Sequence, residues 1–190
     1  AICVRDCSGK GAQMATVYIE TIFGPGGQVT GGMPSPNFSG WNYALALASG
    51  TEVSMSSLPH NDLNTVNQFV VSGTGLSISQ GNGQAGVGIS QRTVTGNVTS
   101  AIYQSGTVGD PNTQYLIRDI NVTFANLVQN SSDPLAYLLA GNDQIFGTFG
   151  ADVINGYGGN DVIRPGTVNP ESADSDFING GAGRDTVSFV

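Results

Sequence analysis

Residues 141–166 read GNDQIFGTFGADVINGYGGNDVIRPG. Aspartates recur at Asp143, Asp152 and Asp161, and each is followed two places later by an isoleucine, Ile145, Ile154 and Ile163. The phase resumes at Asp176 with Ile178 and at Asp185 with Val187, so successive aspartates lie 9, 9, 15 and 9 residues apart. One insertion, within Gly166 to Asp174, accounts for the longer step. A fixed short period is the signature of a solenoid, in which each repeat buries its apolar side only against its neighbours. Glycines at Gly141, Gly147, Gly150, Gly156, Gly158, Gly159, Gly180, Gly181 and Gly183 allow tight turns that aim carbonyl oxygens inward. The aliphatic residue two places after each aspartate then points into the interior of a short strand.

Two nine-residue units complete one coil, so units on the same side stack. Asp143 faces Asp161 and Asp185, and Asp152 faces Asp176. Carboxylates beside inward carbonyls form an all-oxygen environment suited to a hard cation, above all calcium. An ion between stacked turns also removes the repulsion among like charges, which ties folding to the metal.

This pattern resembles the RTX nonapeptide of two glycines, any residue, glycine, any residue, aspartate, any residue, aliphatic, any residue. The resemblance covers Leu135 to Val190 and implies a calcium-binding parallel β-roll. It also implies type I secretion from a bacterium in the unfolded state, with folding outside the cell where calcium is abundant. The expected metal-site residues are Asp143, Asp152, Asp161, Asp176 and Asp185, with Asn142, Asn160 and Asp174 and turn residues Gly141, Gly150, Gly156, Gly158, Gly159, Gly180, Gly181 and Gly183. The copies are imperfect. Leu138 and Leu139 stand where small residues belong in the first unit, Thr148 and Phe149 interrupt the second, and Asp174 replaces a glycine in the fourth. Two to four calcium ions are therefore expected. At an affinity near 10⁻⁴ M, millimolar calcium contributes about 1.4 kcal/mol per ion. Three ions would match the net stability of a small domain, so calcium acts as a folding switch. The export signal of such proteins normally follows the last repeat, whereas this sequence stops at Ser188-Phe189-Val190, which reads as a fragment or processed form.

Upstream, the apolar residues fall into short runs separated by glycine, proline, serine and asparagine, the pattern of an all-β domain. Candidate strands are Thr16 to Phe23, Tyr43 to Ala48, Thr51 to Leu58, Gln68 to Gln80, Val87 to Tyr103 with a break near Gly96, and Tyr115 to Val128. In the last, Leu116, Arg118, Ile120, Val122 and Phe124 alternate onto one face. Trp41 to Ser49 suits a short helix as well as a strand. The fold class is all-β: a sandwich or jelly-roll-like domain over residues 1–132, then a β-roll over 133–190, with the boundary at the turn residues Asn130 to Pro134. Leu135 to Leu139 is an apolar lead-in able to cap the roll.

The net charge of −8 is concentrated in the repeats: residues 133–190 hold eight acids against Arg164 and Arg184, whereas residues 1–132 hold six acids against four bases. There is no basic stripe for nucleic acid or anionic lipid and no apolar run long enough to span a bilayer. Cys3 and Cys7 form either a small disulfide loop or a pair of free thiols. Neither a His-Glu-x-x-His zinc motif nor a Gly-x-Ser-x-Gly elbow occurs, and the sole histidine, His60, reads as part of a polar loop. Glu20, Glu52, Asp110 and Asp119 read as solvated acids, and Tyr18, Phe38, Trp41 and Tyr43 as core or edge aromatics rather than a sugar platform. The expected function is a non-enzymatic, calcium-binding extracellular structural or adhesive protein of a surface layer, matrix or fibre. Self-assembly or a cell-surface or carbohydrate ligand would fit that role. The competing expectation is a non-catalytic piece of a larger RTX enzyme or toxin.

Overall fold

The computed structural model describes residues 14–19, 22–23, 29–34, 36, 50–57, 65–79, 89, 92–107, 110–166 and 175–189. Cys3, Cys7, His60, the Trp41–Ser49 segment and Asp174 lie outside the described residues. Three short N-terminal strands, β1 (Thr16–Ile19), β2 (Ile22–Phe23) and β3 (Val29–Gly32), precede the long strands β4 (Gly50–Ser57), β5 (Thr65–Ile78), β6 (Val94–Thr107) and β7 (Asp110–Arg118). After β8 (Val122–Thr123) come two short helices, α1 (Phe124–Gln129) and α2 (Pro134–Leu138). The roll follows as β9 (Gln144–Phe146), β10 (Ala151–Asn155), β11 (Val162–Arg164), β12 (Phe177–Asn179) and β13 (Thr186–Val187). Strands dominate, as an all-β fold requires.

The strands form two sheets. One runs β13-β11-β9-β1-β7-β6-β5-β4 with β8 beside β6, and the other runs β12-β10-β3-β2. Parallel pairing of β9, β11 and β13 places Gln144 opposite Val162 and Val162 opposite Thr186, and β10 and β12 pair Ile154 with Ile178. Hydrogen-bonded pairing continues across the composition change at 130–134. β1 pairs parallel with β9 and antiparallel with β7, while β3 pairs parallel with β10. A single apolar core accordingly joins Val17, Phe69, Ile117 and Phe124 to Leu135, Leu138, Ile145, Ile154 and Ile163.

Three sequence expectations need correction. The strand expected over Tyr115 to Val128 ends at Arg118, because Asp119 adopts a φ of 62° and turns the chain. The turn also reverses the alternation. Tyr115 and Ile117 are buried ahead of it, and Ile120, Val122 and Phe124 after it, while Leu116 and Arg118 face outward. Phe124 then opens a helix, which the Thr123 hydroxyl caps by accepting the Asn126 N–H at 3.2 Å. The expected turn at Asp133-Pro134 starts α2 instead: Asp133 accepts the Ala136 N–H at 3.2 Å, and proline takes the first helical place, where no N–H is needed. Leu135, Leu138 and Leu139 thereby enter the core. Gly96 does not break its strand; β6 passes through it opposite an irregularity in β5 between Thr74 and Ser77.

Ile145 is fully buried and β9 lies between β1 and β11. Ile145→Ala should cost about 2–5 kcal/mol. Urea unfolding at saturating calcium would show a lowered midpoint, and an unchanged midpoint would contradict the shared core.

Candidate calcium site in the roll

The aspartates of the roll reach back along the stack. Asp161 Oδ1 accepts the Asp143 N–H at 2.8 Å, and Asp185 Oδ1 accepts the Asp161 N–H at 3.0 Å. On the other side, Asp176 Oδ1 accepts the Asp152 N–H at 3.0 Å. Asp143 closes the series by accepting the Ala15 N–H at 2.6 Å. A second series leans the opposite way. Asn142 Oδ1 accepts the Asn160 N–H at 2.7 Å, and Asn160 Oδ1 accepts the Arg184 N–H at 2.8 Å. Neighbouring coils are thus held by acceptors reaching in both directions, the aspartates satisfying backbone donors that burial cuts off from water and the asparagines binding donors at the exposed edge.

One oxygen per carboxylate is used in this way, and the other poses the chemical question. Asp143 Oδ2 and Asp161 Oδ2 are buried with no hydrogen-bond partner, although both residues are only 1 % exposed. A buried anionic oxygen without a donor needs a cation or a proton. The surroundings of Asp161 provide for a cation. Gly156 stands so close that an added Cβ would collide with Asp161 Oδ2 and with the Gly180 carbonyl. The same cradle recurs where Gly147 abuts Asp152 Oδ2 and the Pro165 carbonyl, and where Gly180 abuts Asp185 Oδ2. A glycine five places before the aspartate therefore leaves room between a carboxylate oxygen and a carbonyl at Asp152 and Asp161, and room beside the carboxylate alone at Asp185. At Asp143 the corresponding place holds Leu138, buried in the core. Among the described residues no three His, Cys, Asp or Glu side chains gather, so carbonyl oxygens must complete any ion's coordination. That donor set is all oxygen, as calcium prefers.

The protonation equilibria point the same way. Burial pushes Asp143 up to about 7, against the lowering effect of the Ala15 N–H and with a further rise from Asp161. Burial likewise raises Asp161 to about 6, opposed by the Asp143 N–H and aided by Asp185. Asp152 is raised by burial, with the Thr148 N–H and hydroxyl acting against it. Near neutral pH these sites pay for ionisation unless a cation is present.

The family model of the RTX calcium-binding nonapeptide repeat matches residues 138–169 and 172–188, in four copies. The roll is built of RTX calcium-binding repeats. No curated protein and no solved structure matches the chain. Among the described residues, no helix is long and apolar enough to cross a membrane.

Within the RTX roll, Asp143 and Asp161 are the carboxylates whose second oxygen is left to meet a cation, whereas Asp152 Oδ2 accepts the Thr148 N–H, and Asp176 stacks on Asp152. Asn142 and Asn160 spend their side-chain oxygens on the next coil's backbone. The remaining expected glycines shape the turns. Gly159 and Gly183 lie against the carbonyls of Gly141 and Gly159, Gly181 lies against Tyr157, Gly158 pairs with Ala182, and the Gly150 N–H reaches the Thr148 hydroxyl. Gly147, a turn residue by its sequence, stands against Asp152 Oδ2 and the Pro165 carbonyl; its spacing of five from the aspartate, shared with Gly156 and Gly180, is the signal in the sequence. Thr148 was read as a mismatch, yet its N–H and hydroxyl bind Asp152 at 2.6 and 3.1 Å.

Asp161→Asn should lower calcium affinity about tenfold or more by removing a charged ligand, measured by isothermal titration. In calcium-free buffer the same change should raise the melting temperature, because it removes a buried charge. A second test concerns pH. Because Asp143 and Asp161 have folded-state values above the usual carboxylate range, their contribution to calcium-free stability is complete below about pH 4 and is lost as pH rises to about 7. Calcium affinity must rise over the same interval, since the ion competes with protons. Thermal melts in metal-depleted buffer at several pH values would check the sign.

Proposed function

We propose that this protein is an extracellular structural or adhesive component, exported before it folds and stiffened by calcium on arrival, with no catalytic role. The observation that carries the reading is the outer face of the four-stranded sheet. Val153 and Phe177, paired across β10 and β12, stand 57 and 67 % exposed there, Phe149 just ahead of β10 is 72 % exposed, and the outward places of β10 and β12 hold Ala151, Val153, Asn155, Phe177 and Asn179, none of them charged. On a chain of net charge −8, an uncharged apolar strip is where two copies can approach without repulsion. The roll positions this strip, so calcium would govern both stiffness and association. In the low-calcium interior of a cell the buried aspartates oppose folding, which keeps the chain in a state fit for export.

Light scattering and electron microscopy with and without millimolar calcium test the proposal. Calcium should drive ordered assemblies, and Phe149→Ser with Phe177→Ser should abolish them while leaving the calcium-dependent circular dichroism change intact. A wild-type protein that stays monomeric at high concentration with calcium, or that hydrolyses a peptide, ester or glycoside, would refute it.

A further inference from the structure

We infer that β1 and β3, which lie outside the matched repeats, form a leading coil of the roll that lacks carboxylates, and that calcium release unravels the roll from β12 and β13 while β9 and β10 stay docked. The register carries the first half. Thr16 pairs with Gln144 and Val17 with Ile145, which puts Ala15 in the place of an aspartate; its N–H binds Asp143 Oδ1 and its carbonyl accepts the Gln144 N–H at 2.9 Å. On the other sheet Gly31 pairs with Asp152, and the Met33 N–H donates to the Val153 carbonyl at 3.2 Å. The motif aspartate-x-aliphatic thus becomes Ala15-Thr16-Val17 and Gly31-Gly32-Met33, with Val17 and Met33 buried at 0 and 7 %.

The second half follows from how the coils are held. β9 lies between β1 and β11, and β10 between β3 and β12, whereas β12 and β13 have a partner on one side only among the described residues. β1 is itself fixed by four residue pairs to β7. Docking on the leading coil brings no second carboxylate to Asp143 or Asp152, because Ala15 and Gly31 have none. Each later step stacks one carboxylate on another: Asp143 on Asp161, Asp161 on Asp185, Asp152 on Asp176. Burial follows the same gradient, with Ile145, Ile154 and Ile163 at 0 % and Val187 at 40 % exposure. Ion loss therefore weakens the far coils first.

The inference rests on calcium binding by the roll and is tested on the full chain by hydrogen exchange read by mass spectrometry, in millimolar calcium and in EGTA. In EGTA, amides of residues 177–187 should lose about tenfold more protection than those of 144–154. Equal loss across both segments, or earlier loss at 144–154, overturns the polarity while leaving calcium binding in place. No calcium effect on any amide overturns both. Ala15→Pro, which deletes the N–H held by Asp143, should make 144–154 exchange as fast as 177–187 in EGTA; unchanged protection there would also overturn the inference. Should that variant not fold, the wild-type exchange pattern decides.

Discussion

The bond from a carboxylate oxygen to the backbone N–H of the preceding coil is the contact on which the roll depends. It satisfies a buried donor, sets the vertical spacing of the coils and fixes the aspartate side chain. The other oxygen is then left in a dry, glycine-lined gap, as at Asp161. Neutral packing cannot resolve that situation, because the carboxylate must be protonated or paired with a cation. The same hydrogen bond that builds the stack thus leaves an oxygen that only a proton or a cation such as calcium can satisfy.

Energetic dependence spreads from there through the shared sheet. The isoleucines of β9, β10 and β11 belong to one core with Val17, Leu135, Leu138 and Phe124, so the state of the aspartates affects residues far from them in sequence. The opposed asparagine series adds registration without adding charge, since Asn142 and Asn160 offer neutral acceptors to the next coil.

The roll was legible in the sequence because its physics is local and periodic: glycine, aspartate and aliphatic at fixed offsets state turn, ligand and core in every copy. The stacking pairs Asp143 with Asp161 and Asp152 with Asp176 follow from two units per coil. The long strands β4 and β5 were also readable, to within a few residues, from their alternation and turn residues, whereas β6 begins at Val94 rather than Val87 and β7 runs Asp110–Arg118 rather than Tyr115–Val128. Less could be read where one residue redirects the chain. Asp119, at a positive φ that few non-glycine residues adopt, reversed an alternation that looked continuous from Tyr115 to Phe124. The sequence also concealed the leading coil, because Ala15 and Gly31 take the places of aspartates through pairing alone, and nothing in their chemistry announces it. Leu138 and Leu139 looked like defects in the first repeat; they serve the core on which the roll is seated.

β1 runs between an antiparallel neighbour, β7, and a parallel one, β9, so it is the seam through which a pull on the roll reaches the long sheet. The strands of the roll lie across its axis of stacking, so tension along that axis opens coils in succession rather than all at once. Each nine-residue unit released would add up to about 30 Å of contour length. The aspartate-to-backbone bonds would break a few at a time, while β1 stays anchored in β7. Under such tension the chain would lengthen in steps of one unit, and ions held between coils would resist each step.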